Sequence, residues 1–184
     1  MGMMIENASD AFVCVVDLQE KLVPTQSRPA ELLKRAGILL GGAAALEIPF
    51  VAAQQYPKGL GLIVPEVKEL FPEGTPITDK ITFSCFGTPE FREGAEKLNR
   101  KQMILLGVET HVCVLQTAFD ALKLGYEVTL VEDCTDSRHV SDRAAGIALM
   151  RENGVQIVTS EMLLFQLMRD SRHPAFKTIS KLIR

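Results

Sequence analysis

No apolar run in this sequence is long enough to cross a bilayer; the first, residues 11–16, stops at Asp17 and Glu20. Residues 1–10 lack the basic-then-apolar order of a secretory signal, and the closing Lys181-Leu182-Ile183-Arg184 is not a peroxisomal address. A cytoplasmic protein with no membrane partner is therefore expected. The four cysteines, Cys14, Cys85, Cys113 and Cys134, form no C-x-x-C pair. Without a secretory signal they read as free thiols. Lys and Arg are scattered and the formal charge is −3, so there is no basic face and nucleic acid is not an expected partner. Zinc spacing of the H-E-x-x-H kind and a Walker A sequence are both missing. No G-x-G-x-x-G follows a strand, and Gly59-Leu60-Gly61 lies too far from a helix start. A Cys-x5-Arg phosphate loop built on Cys113 would need arginine at 119, where Phe119 stands. There is no internal repeat, linker or low-complexity segment. The 184 residues, 47% apolar, are instead enough for one domain, 1–184, with a sizeable core.

What is present is an alternation of strand and helix signals. Apolar, branched runs predict strands at 11–16, 49–53, 76–78, 103–108, 127–131 and 155–158. Helical spacing predicts helices at 31–46, 64–71, 88–99, 111–124, 141–152 and 160–169, with a last turn or two in 174–182. Residues 54–61 and 82–87 read as loops. Such alternation implies parallel pairing through right-handed crossovers. The expected fold is a doubly wound, Rossmann-like α/β/α three-layer sandwich on a mainly parallel six-stranded sheet. Gly41 and Gly42, inside a helix, suggest close packing there. Leu163, Leu164 and Leu167 suit either a core or a subunit interface.

In such sheets ligands bind beyond the carboxyl ends of the strands. Asp17 closes the first strand, Lys80 follows the third and Cys113 follows the fourth, so three chemically apt residues converge on one edge. With Thr110 as N-cap, Cys113 is the third residue of a helix, among unpaired N–H groups and the positive dipole end. That setting favours a thiolate, and the same N–H groups can hold an oxyanion. Asp17, if partly buried, has a raised pKa and can serve as general base; the plainer reading is a cap for loop 18–22. A lone lysine is usually a solvated surface group, but Ile77 and Ile81 flank Lys80, and a cation there would favour both the carboxylate and the thiolate. His111 is two residues from Cys113 and does not face it on a helix. Cys14, Cys85 and Cys134 read as small buried hydrophobes.

Three segments, Val15-Val16-Asp17-Leu18-Gln19, Asp79-Lys80 and Leu106-Gly107-Val108-Glu109-Thr110-His111-Val112-Cys113, resemble motifs of the isochorismatase-like cysteine hydrolase superfamily. Stretches 54–61 and 159–166 are similar to its small isochorismatase-domain-containing proteins, so the resemblance runs over almost the whole chain. It implies an Asp17–Lys80–Cys113 triad and a homo-oligomer. A cis peptide between Val108 and Glu109 is also implied, aiming the Glu109 and Cys113 N–H groups at an oxyanion. Nicotinamidase relatives bind a metal through an Asp-x-His arrangement where this chain has Gln54-Gln55-Tyr56, so neither metal nor cofactor is expected. Isochorismatases proper lack the nucleophilic cysteine, so Cys113 points to acyl chemistry. The implied activity is hydrolysis of a small amide or carbamoyl substrate through a thioester. Tyr56, Phe83 and Phe86 are candidate pocket walls, and Gln19 is a candidate for orienting substrate. The alternatives are a non-catalytic binding protein of the same fold and a redox-sensitive thiol protein.

Overall fold

Every residue of Ala11–Val16 (β1) is fully buried although successive side chains point to opposite faces. A strand of this kind needs helices on both sides of its sheet. The computed structural model, which describes Ile5 and residues 7–184, supplies them; part of the segment 1–10 read above lies outside the described residues. After β1 come α1 (Pro29–Ala45), β2 (Phe50–Gln55), the short helices α2 (Pro57–Leu60) and α3 (Pro65–Lys68), and β3 (Ile77–Lys80). Next are α4 (Pro89–Lys97), β4 (Gln102–Val108), α5 (Leu115–Lys123), β5 (Glu127–Asp136) and α6 (Val140–Glu152). The chain closes with β6 (Gln156–Val158), α7 (Ser160–Met168) and α8 (Phe176–Ile183). The strands form one parallel sheet in the order β3-β2-β1-β4-β5-β6, the α/β/α architecture expected from the alternation.

Two cores sandwich the sheet. Ala11, Val13 and Val15 pack with Leu32 and Leu39 of α1 and Leu163 and Leu167 of α7. Phe12, Cys14 and Val16 face Phe91 of α4, Ala118 of α5 and Met150 of α6. Leu164 joins Ile38 and Ile179 in a third cluster that seats α8, so all three leucines left open above are core residues. Burying each contributes roughly 2 kcal/mol. Gly42 has the packing role anticipated for it, because a Cβ there would lie 2.6 Å from a Leu164 methyl. Among the described residues no helix is long and apolar enough to cross a membrane.

Three of the boundary differences from expectation bear on the sheet edge that carries the site. β2 runs on to Gln55 and is followed by α2, with Pro57 at its start, where a loop was expected. β3 covers 77–80 rather than 76–78. β5 continues through the polar stretch 132–136 because its carboxylates find distant partners. Asp133 accepts from Ser160 N at 2.7 Å and Ser160 Oγ at 2.6 Å. Asp136, fully buried, accepts from Ser27 Oγ at 2.7 Å and Arg28 N at 2.6 Å, just ahead of α1. Asp136→Ala is expected to lower the unfolding free energy by about 1 to 2 kcal/mol, read by urea denaturation, since it removes a buried carboxylate that accepts two charge-assisted bonds from partly buried donors.

Candidate active site

Strand order reverses between β1 and β4, and the crevice beyond their carboxyl ends collects the three residues singled out from the sequence. Asp17 leaves β1 with φ 53°, a left-handed conformation that aspartate tolerates better than most residues. It is fully buried, Lys80 is 2% exposed and Cys113 is 8% exposed. The Lys80 ammonium reaches across the end of β2 and donates to Asp17 Oδ2 at 2.8 Å, Gln55 Oε1 at 2.6 Å and the Thr82 carbonyl at 3.3 Å. Each of its three N–H groups thus has an acceptor. Asp17 Oδ1 has no partner of good hydrogen-bond geometry, and the Cys113 thiol is the side chain besides Lys80 that interacts with this carboxyl.

The turn carrying Cys113 is not the start of a regular α-helix. Thr110–Val114 forms a wider π turn before α5 begins, with Val112 N and Val114 N both bonded to the Glu109 carbonyl. Glu109 takes the cap position, and π turns inside helices recur at functional sites. The expected Thr110 cap is absent because its hydroxyl is used elsewhere. It donates to Thr135 Oγ1 at 2.8 Å, which in turn donates to the Gly107 carbonyl at 2.7 Å. Its neighbours are tied to the same segment: Arg138 Nε donates to Glu109 Oε1 at 2.8 Å, and His111 Nδ1 lies 2.9 Å from Ser137 Oγ. Three consecutive side chains therefore stitch the turn to residues 135–138. His111 is directed to Ser137 and Asp142, not to Cys113. The Val108–Glu109 peptide is cis.

Electrostatics reverse one expectation. Burial pushes the Cys113 thiol up to about 12, and the Asp17 charge adds to this while Lys80 only partly offsets it. The resting sulfur is a thiol rather than the thiolate anticipated from its place at a helix start. Burial also raises the Asp17 carboxyl above the ordinary 3.8, against the pull of Lys80 and the Cys113 thiol. For Lys80, burial is the largest influence and lowers its pKa. Asp17, Cys85 and Cys113 together outweigh it, so the net shift is upward and the ammonium stays charged.

A cavity of about 270 Å³ opens beside Lys80, lined by Tyr56, Pro57, Lys58, Asp79 and Ile81. Tyr56 and Phe83 are half-exposed, Phe83 on the segment after β3. Two candidate pocket residues are placed otherwise. Gln19 is buried with its amide spent on main chain: Nε2 donates to the Gln55 and Gly61 carbonyls at 2.9 and 2.7 Å, and Oε1 accepts from Gln55 N at 2.7 Å. It has no group left to orient a substrate. Phe86 packs edge-on to Phe91 at 5.3 Å and lies 5.4 Å from Tyr126, in the core. Conversely, Gln55 and Arg138 touch the machinery and were not singled out from the sequence. The signal for Gln55 was its position two residues past the predicted second strand. Among the described residues no group of three or more His, Cys, Asp or Glu side chains is arranged to hold a metal ion.

Comparison with known proteins places this geometry. The model of the isochorismatase domain matches residues 11–162. Mouse isochorismatase domain-containing protein 2A is 37% identical over 185 residues, spanning all of this chain and 86% of that protein. The structure of MAR1 ribonuclease from Caenorhabditis elegans is 39% identical with a TM-score of 0.90, covering 96% of this chain and 91% of that one. YcaC from Pseudomonas aeruginosa, solved with hexane-2,5-diol and covalent acrylamide, is 27% identical with a TM-score of 0.88, covering 96% and 94%. The sheet order and these matches agree: the chain belongs to the isochorismatase family and has its α/β fold.

Proposed function

We propose that this protein is a cysteine hydrolase acting on a small amide or carbamoyl group. The observation that carries the reading is the buried Lys80–Asp17 pair, 2.8 Å apart, beside the Cys113 thiol. A thiol with so high a pKa needs a base at hand, and Asp17 is the carboxyl that interacts with it. Asp17 takes the Cys113 proton and the sulfur attacks the carbonyl carbon. The Glu109 and Cys113 N–H groups take the oxyanion. The proton on Asp17 passes to the leaving amine, whose C–N bond breaks to give a thioester. Water, deprotonated by Asp17, then hydrolyses the thioester and restores the thiol. Lys80 keeps Asp17 anionic between steps. Tyr56, which lines the cavity beside Lys80, and the half-exposed Phe83 are the walls this reading assigns to a small substrate. The Pseudomonas relative was solved with covalent acrylamide, a small amide-bearing electrophile, which makes small amides the first class to test.

Ammonia release from a panel of small amides and carbamoyl compounds tests this, with RNA as a contrasting substrate because the Caenorhabditis relative is called a ribonuclease. Turnover of at least one amide is expected, falling by at least about 10³-fold in Cys113→Ala. Activity requires anionic Asp17, so it is lost as pH falls through a carboxyl pKa lying above 3.8. RNA cleavage that survives Cys113→Ala, with no amide turned over, would replace this reading. Inertness toward the whole panel would favour a binding protein of the same fold.

A further inference from the structure

Gln55 is the last residue of β2, paired in register with Lys80 of β3. Each of its polar groups has a partner. Its N–H donates to Gln19 Oε1 at 2.7 Å, its Nε2 donates to the Ile81 carbonyl at 2.8 Å, and its Oε1 accepts from Lys80 Nζ at 2.6 Å. The Ile81 contact fixes which way the amide points, so it is the oxygen that meets the ammonium. Gln19, spent on the main chain of 55 and 61, holds Gln55 from the other side. The result is an unbroken chain from Gln19 through Gln55 and Lys80 to Asp17, and from there to the Cys113 thiol.

Resting on the hydrolase reading above, we propose that Gln55 is a positioning residue: its side-chain oxygen anchors Lys80 against Asp17 and thereby sets how readily that carboxylate takes the Cys113 proton. The choice of an amide matters. A buried ammonium needs acceptors for its N–H groups, and a second carboxylate would compete with Asp17 for the cation and repel its charge. A neutral oxygen satisfies the donor and leaves the Lys80 charge to Asp17. The other ionisable groups acting on Lys80 or near it are the Cys14, Cys85 and Cys113 thiols, with Tyr56, Asp79 and Lys58 lining the adjoining cavity. Asp79 is engaged by Gln54 Nε2 at 2.7 Å, so Gln55 is the neighbour that fixes the ammonium directly.

The test does not require the natural substrate. Chloroacetamide alkylates a cysteine by displacement of chloride, and its second-order rate at Cys113, located by peptide mass, is followed against pH. The wild-type rate is expected to rise through an acid limb set by Asp17. Gln55→Met removes the acceptor, and Gln55→Glu keeps an acceptor but adds charge. Both are expected to displace the limb upward by about one pH unit, since both weaken the net stabilisation of anionic Asp17. A merely structural Gln55 would lower the melting temperature and leave the limb where it was. A limb that stays in place in either variant overturns the proposal. Asp17→Asn separates the two levels of inference: a limb that persists without Asp17 ends the hydrolase mechanism. A limb lost in Asp17→Asn but unmoved in both Gln55 variants ends only the role given to Gln55.

Discussion

Gly107→Ala is expected to leave little folded protein. Gly107 lies in β4 opposite Val16 of β1, with φ at 121°, outside the range open to residues with a side chain. A Cβ at this position would sit 2.0 Å from the Val16 carbonyl oxygen, 2.7 Å from its carbonyl carbon and 2.8 Å from its nitrogen. All three atoms are main chain of the neighbouring strand, so no side chain can swing aside. Relief requires β1 and β4 to separate just where Asp17 and the Cys113 turn emerge. The expected loss exceeds about 4 kcal/mol, in the range reserved for strained backbone and core disruption. Equilibrium urea unfolding of the purified variant checks it. A Gly107→Ala protein within about 1 kcal/mol of wild type would mean that the two strands do not approach as described.

The second large effect is Lys80→Met. The substitution keeps much of the side-chain volume and removes the charge, leaving Asp17 Oδ2 buried without its 2.8 Å partner. Breaking a buried pair from one side costs about 3 to 5 kcal/mol. The deficit has a pH signature. With Lys80 gone, burial raises the folded-state pKa of Asp17 still further, so the folded form binds its proton more tightly than the unfolded chain does. Stability of the variant should therefore recover as pH falls and worsen as pH rises from the ordinary carboxyl value of 3.8 toward the raised folded-state value. Adding Asp17→Asn removes the stranded charge and should restore most of the lost stability at neutral pH, while amide hydrolysis stays absent. Thermal or urea unfolding of the four proteins of this cycle reads the coupling. A double-variant deficit equal to the sum of the two single-variant deficits would show that the pair is not electrostatically coupled.

The strands that build the site were the most legible part of the chain. β1 and β4 are buried on both faces, which forces unbroken apolar runs, and Asp17 stands where the first run ends. Lys80 was less legible: β3 is an edge strand of mixed burial and Ile81 is exposed, so its place at a strand end is what pointed to it. The tail of β5 was not legible, because Asp133 and Asp136 look like loop residues until their partners, Ser160, Ser27 and Arg28, are brought up from distant parts of the sequence. The state of Cys113 was misjudged for a related reason. A helix start is a local feature, whereas burial beside the Asp17 charge depends on two strands meeting. Gln19 was placed at the correct strand end but assigned the wrong task, since its partners at 55 and 61 lie far off in sequence.

The stitching of residues 109–111 to 135–138 has an evolutionary corollary. The Cys113 turn is secured through α5, β4 and the end of β5, while Tyr56 and Ile81, exposed side chains lining the opening beside Lys80, and the exposed Phe83 belong to connections that bear none of that fastening. If the proposed hydrolase mechanism holds, substrate preference is free to diversify at those three positions while Asp17, Lys80 and Cys113 keep their alignment, so descendants of one ancestral scaffold can drift toward different metabolites.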